Sequence, residues 1–218
     1  MIEAMSPYEE EAALDLSEFR PEEWAAFLFD HPDGFRLIKS GTEYEDYVIS
    51  DPLLVLNGIR YVLENFKSVG ETYSLAQIDH GIWALWSGEL NLKGLLFDER
   101  IDWPIREATI RSMAIPFRDF LAGHPIHVME NCFFMWWHLI RVPGGYERRL
   151  RDAYFETLRE ILSINDDRCQ GAALHGLGHL RHPGRFDLIG EYIDKHAELL
   201  TDPDGLHWVE QCQIGTVM

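Results

Sequence analysis

The chain has 218 residues, 46% of them hydrophobic and 12% aromatic, enough to bury a sizeable core in one large domain or one compact array. Lys and Arg number 19 against 37 Asp and Glu, a formal net charge of −18 that weighs against nucleic acid or an anionic membrane as partner. Residues 1–50 hold thirteen acidic and three basic side chains, a net of −10, which predicts either a solvated surface or a docking site for a basic partner.

Residues 1–20 read as an acidic, weakly ordered lead-in with a short helix near Glu9–Leu16, and they lack the basic and apolar regions of a signal peptide. Residues 21–218 read as a single all-α domain. Arg20-Pro21-Glu22-Glu23 opens a helix, since Pro suits a first turn and carboxylates favour its positive end. Trp24, Phe27 and Leu28 form its apolar stripe, and His31-Pro32-Asp33-Gly34 ends it. The segment 42–50, TEYEDYVIS, comes nearest to strand alternation and reads as a loop. Asp51-Pro52 starts a helix that Val69-Gly70 breaks, and Ser74 to Trp86 forms the next. Asp102 is placed to cap a helix with Pro104 in its first turn, which Pro116 should kink or split near Ile115. Ile126 to Val142 is apolar nearly all round, the pattern of a helix buried on most faces. Tyr146 to Ile164 is a long amphipathic helix, and Asp204-Gly205 precedes a last one. About nine helices with short turns predict an irregular array of antiparallel helix pairs, HEAT- or armadillo-like.

The segment 169–196, CQGAALHGLGHLRHPGRFDLIGEYIDKH, carries the most information. Ala173, Leu177 and Leu180 share one helix face, Pro183-Gly184 marks a turn, and Phe186, Ile189 and Ile193 restart a stripe. Gly176 and Gly178 each cost about 1 kcal/mol in a helix interior, which predicts that neighbouring helices approach closely there.

Chemistry has few candidates. His175 and His179 stand at i and i+4, the spacing of helical zinc sites, and His182 could bend back as a third ligand. The same spacing serves histidines that line a helix groove or bond to backbone. Should the fold bring His80, His127 or His138 beside them, a metal-dependent hydrolase becomes thinkable. Cys132, Cys169 and Cys212 have no metal or disulfide spacing and read as small hydrophobes in a reducing cytoplasm. Neither a nucleophile elbow nor a phosphate loop occurs. Trp24 and Trp103 lie beside acidic residues near helix starts, where each ring either packs inward or anchors an interface. Arg141, Arg148, Arg149, Arg151 and Arg159 form the basic stretch, interleave with acids and read as intrahelical pairs.

The repeat-like pair resembles the HEAT-like repeats of bacterial helical-repeat proteins, in which an Ala-Leu-x-x-Leu-Gly helix packs on a longer partner. RPEEWAAFLFDHP, SLAQIDHGIWALWSG, the helix from Ile110 to His124, ENCFFMWWHLI and CQGAALHGLGHL extend the likeness over most of the chain. Together they are similar to immunity proteins of polymorphic toxin systems. That resemblance implies a non-catalytic cytoplasmic binder of a cognate, basic toxin domain, with no cofactor and no catalytic residues to carry over. Glu22, Glu23, Trp24, Asp33, Glu43, Glu45 and Asp46 are the expected partner-binding set. The alternatives are a metal-dependent helical enzyme using His175, His179 and His182, and a scaffold without one dedicated partner.

Overall fold

A computed structural model of the chain describes residues 14–32, 47–87, 90, 92–124, 130–140 and 148–217. The fold is all-α, as the sequence pattern predicts. Eleven α-helices are present among the described residues: α1 (Glu23–Phe29), α2 (Pro52–Glu64), α3 (Phe66–Thr72), α4 (Leu75–Trp86), α5 (Trp103–Ser112), α6 (Ala114–Asp119), α7 (Glu130–Leu139), α8 (Arg148–Leu162), α9 (Asp167–Leu180), α10 (Arg185–Lys195) and α11 (Pro203–Ile214). No helix among the described residues is long and apolar enough to cross a membrane.

Residues 14–18 depart from the expected loose lead-in, whose residues 1–13, with most of the expected helix near Glu9–Leu16, lie outside the described residues. β1 (Leu14–Asp15) pairs in parallel with β2 (Tyr47–Val48), Leu14 opposite Tyr47, so part of the segment read as a loop forms a short ladder. Leu16, in a single 3₁₀ turn, is 1% exposed. Asp15 accepts hydrogen bonds from the Ser17 and Ser50 amides, and bonding to Ser50 above all holds its carboxyl down to about 2. Ser17 Oγ accepts from the Asp51 amide at 2.8 Å. Residues 14–18 are thereby fastened to the segment that opens α2.

Local side-chain chemistry sets several helix ends. The Asp51 carboxylate accepts from the Leu53 and Leu54 amides at the start of α2, and Ser74 and Gln77 form a reciprocal capping box on α4. The break after α2 falls at Asn65 rather than at Val69-Gly70. Asn65 Nδ2 donates to the Tyr61 carbonyl at 2.8 Å, a side-chain bond that competes with the helix ladder. Asp102 precedes α5 but makes no side-chain cap bond. The α5–α6 break lies at Met113, three residues before Pro116, whose ring nitrogen has no proton for the Ser112 carbonyl.

One apolar core runs from Leu16 to Cys212. Phe66, Phe117, Phe120 and Phe133 meet edge to face or stacked, with Phe117 and Phe133 ring centroids 5.0 Å apart, and Trp86 packs on Trp136. Helix α9 packs chiefly against α7, α8 and α11, while α10 packs more on α11 than on α9. The predicted close approaches are present. A Cβ at Gly176 would lie 2.6 Å from Leu158 Cδ2 and 2.7 Å from Trp137 Cγ, and one at Gly178 would lie 2.5 Å from Val217 Cγ1. These two glycines let α7, α8 and the chain after α11 settle directly on the α9 backbone.

Candidate metal centre

Helix α9 is fixed at both ends. Asp166 caps it, accepting from the Arg168 and Cys169 amides at 3.1 and 3.2 Å while its carboxylate binds the Arg168 guanidinium at 2.7 Å. Desolvation pushes the Asp166 pKa up, but the Arg168 and Cys169 hydrogen bonds outweigh it and leave the carboxyl below its usual range. At the far end Arg181 adopts the left-handed conformation at φ 52°, an arrangement costly for a residue with a Cβ. Arg151 Nη2 offsets that cost by donating to the Leu180 and Arg181 carbonyls at 2.9 and 3.0 Å.

His175 and His179 project from one face of this helix, as their spacing requires. The third histidine is His138, from the last turn of α7. Among the described residues, His138, His175 and His179 form the group able to hold a metal ion, one nitrogen from each lying within 4.8 Å of the others. His175 is buried, His179 half-buried and His138 exposed, so the group opens to solvent on the α7 side.

Proton accounting defines the state of this group. His175 Nδ1 lies 3.0 Å from the Phe134 carbonyl oxygen, which only accepts, so Nδ1 carries the proton. Burial lowers the His175 pKa most, and nearby His138 lowers it further, against the raising effect of the Phe134 carbonyl. The ring is therefore held neutral, and its Nε2 presents a lone pair. His179 Nε2 lies 2.9 Å from that lone pair and 3.2 Å from His138 Nδ1. One N–H on His179 Nε2 must serve both contacts. A cation at the centre would instead accept a lone pair from each of the three rings.

The dimensions suit such an ion. Zinc–nitrogen bonds of about 2.0–2.1 Å in a tetrahedron place ligand nitrogens roughly 3.3 Å apart. The His175–His179 and His138–His179 contacts, at 2.9 and 3.2 Å, lie at or somewhat below that edge, and all three nitrogens lie within 4.8 Å of one another. The bond from His175 Nδ1–H to a carbonyl is the outer contact that orients metal-binding imidazoles. The Phe134 ring also stacks on His175, centroids 4.3 Å apart and 15° from parallel.

His182 does not join the group, contrary to the expectation that it bends back as a ligand. Past the end of α9 its ring turns towards α8 and stacks on Phe155 with centroids 4.2 Å apart. Its Nε2 donates to Asp152 Oδ1 at 3.0 Å, and its Nδ1 accepts from the Gly184 amide at 3.1 Å. Both nitrogens are occupied. His80 is likewise not part of the group, and His127 lies outside the described residues.

The cysteines supply no nucleophile. All three are buried and outside any disulfide, and burial pushes the Cys169 and Cys212 thiols up to about 12 and the Cys132 thiol well above its usual value.

The expected partner-binding set is only partly placed. Asp33, Glu43, Glu45 and Asp46 lie outside the described residues. Glu22 is exposed, and Glu23 folds back to accept from the Arg20 guanidinium at 2.7 Å and from its amide at 2.8 Å. Trp24 cannot be an interface anchor, being 0% exposed with its indole lying on the Gly58 backbone and edge to face with Phe19 and Phe27. Trp103 is half-buried, with the Arg149 and Arg106 guanidinium carbons 4.9 and 5.4 Å from its ring centroid. Arg148 pairs with Asp152 and Arg159 with Glu156 within α8, whereas Arg149 and Arg151 act outside that helix, and Arg141 lies outside the described residues.

The signal for His138 is its standing as the one ionisable side chain in the apolar run from Phe133 to Ile140. Compared with family models, with curated proteins and with solved structures, the chain matches none.

Proposed function

We propose that this protein binds one divalent transition-metal ion, of the zinc type, through His138 Nδ1 and the Nε2 atoms of His175 and His179. The observation that carries the reading is the convergence of three imidazole nitrogens on a single shared N–H, with the His175 tautomer fixed by the Phe134 carbonyl. The ligand set is all imidazole and no thiolate joins it, which suits zinc, cobalt, nickel or copper(II) better than copper(I) or calcium. Three protein ligands leave a fourth position open, the arrangement of catalytic rather than structural zinc sites. The reaction class such a centre would support is metal-assisted hydrolysis, with a bound ion supplying Lewis acidity to a substrate oxygen or to a water.

Calorimetric titration of zinc into the untagged, chelator-treated chain tests the reading. Saturation at one ion per chain supports it, and the absence of saturable uptake contradicts it.

A second reading, an immunity protein that occludes a basic toxin domain, is supported by charge. The net charge is −18, and Glu22 stands exposed ahead of α1. Replacing Glu22, Asp33, Glu43, Glu45 and Asp46 with Lys should then slow association with such a partner, most at low salt. Unchanged association kinetics would remove this reading.

A further inference from the structure

On the three-histidine reading, the chemistry of the open position follows from the charges around it. We infer that the fourth ligand at this centre is an oxyanion, a carboxylate or phosphate group of a small molecule that enters from the α7 side.

Among the described residues, the ligands neutralise none of the ion's charge. All three ligating groups are imidazoles, and no Asp, Glu or Cys joins them among the described residues. The outer contact of His175 is a backbone carbonyl, where a carboxylate would have lent the site negative charge. A divalent ion held this way keeps its two positive charges, and an anionic fourth ligand removes part of them.

The helix end would ordinarily oppose an anion. His179 lies in the last turn of α9, where the carbonyl dipoles present partial negative charge. Arg151 cancels that effect by placing its guanidinium on the Leu180 and Arg181 carbonyls. The overall charge of −18 is a weaker influence. At 0.1 M salt the Debye length is about 10 Å, so distant surface carboxylates are screened, whereas the ion touches its ligand.

Aromatic surface lies close to the group. His138 is exposed, and Phe134 and Trp208, both half-exposed, stand beside the group with ring centroids 6.1 Å apart. An acid or phosphate ester could coordinate through oxygen and rest its carbon skeleton against these rings.

The test uses the full chain loaded with cobalt(II), freed of excess metal by gel filtration and titrated at fixed ionic strength with acetate, inorganic phosphate and acetamide. Acetamide has the shape of acetate without its charge. A saturable shift of the cobalt visible bands with acetate or phosphate, and none with acetamide, is the expected result. The tighter of the two anions identifies the carboxylate or the phosphate class. Bands that ignore both anions, or move equally with acetamide, overturn the inference while leaving the metal centre standing. Failure to take up cobalt at all overturns the metal reading, and the anion site with it.

Discussion

The Nδ1 of His175 lies 3.0 Å from the carbonyl oxygen of Phe134, and this contact decides what the neighbouring histidines can do. It fixes the tautomer of a buried ring, aims its lone pair at His179, and ties α9 to α7 at the point where His138 joins. Two helices distant in sequence thus share a site that neither holds alone.

His182 serves the turn after α9. His182→Ala removes a bond to Asp152, an acceptor for the Gly184 amide and a stack on Phe155. The expected cost is about 1–2 kcal/mol in urea unfolding, with zinc affinity unchanged. Loss of zinc with retained stability would place His182 in the metal centre instead.

Gly176 and Gly171 should respond to alanine in opposite directions. At Gly176 the new methyl meets Trp137 and Leu158, which predicts a loss of about 1–3 kcal/mol and weaker metal binding as α7 is forced away. At Gly171 nothing lies within 4 Å of the new methyl, and better helix propensity predicts a gain of about 0.5–1 kcal/mol with unchanged metal affinity. Equal effects at the two positions would show that close approach at Gly176 does not set the site.

Acid should loosen the start of α9. The folded pKa of Asp166 lies below its ordinary value, so its contribution is complete above the unfolded pKa of about 3.9 and fades as pH falls through the folded one. Asp166→Ala should cost about 1–3 kcal/mol at neutral pH and progressively less below about pH 4. A variant penalty that stays constant from neutral pH to pH 2 would contradict this account.

Trp24→Ala should destabilise the protein by about 3–5 kcal/mol, because the indole is fully buried. Denaturant titration would register this cost, and a stability change under 1 kcal/mol would mean that Trp24 lies at the surface after all.

What the sequence disclosed follows from what is local. The α9 cap at Asp166, the two glycines at close contacts and the i, i+4 histidine pair are readable because one helix turn relates all their atoms. His138 is 41 residues from His179, and its place depends on how α7 crosses α9. Spacing says nothing of that crossing. His182 misled because the left-handed Arg181 redirects the chain one residue earlier, a conformation unusual outside glycine. Trp24 misled because its acidic neighbours face outward while its own side chain fills the space over Gly58. The short ladder between β1 and β2 joins segments more than 30 residues apart, beyond any local pattern.

The central claim is that His138, His175 and His179 together hold one metal ion, and the most direct test is zinc content per chain. Untagged wild type, His138→Ala, His179→Ala and His182→Ala proteins would be equilibrated with zinc, gel-filtered and assayed by mass spectrometry, with circular dichroism confirming the fold. The account predicts one zinc in the wild type and in His182→Ala, and none in His138→Ala or His179→Ala. Zinc retained by both of those variants, or none in the wild type, would contradict it.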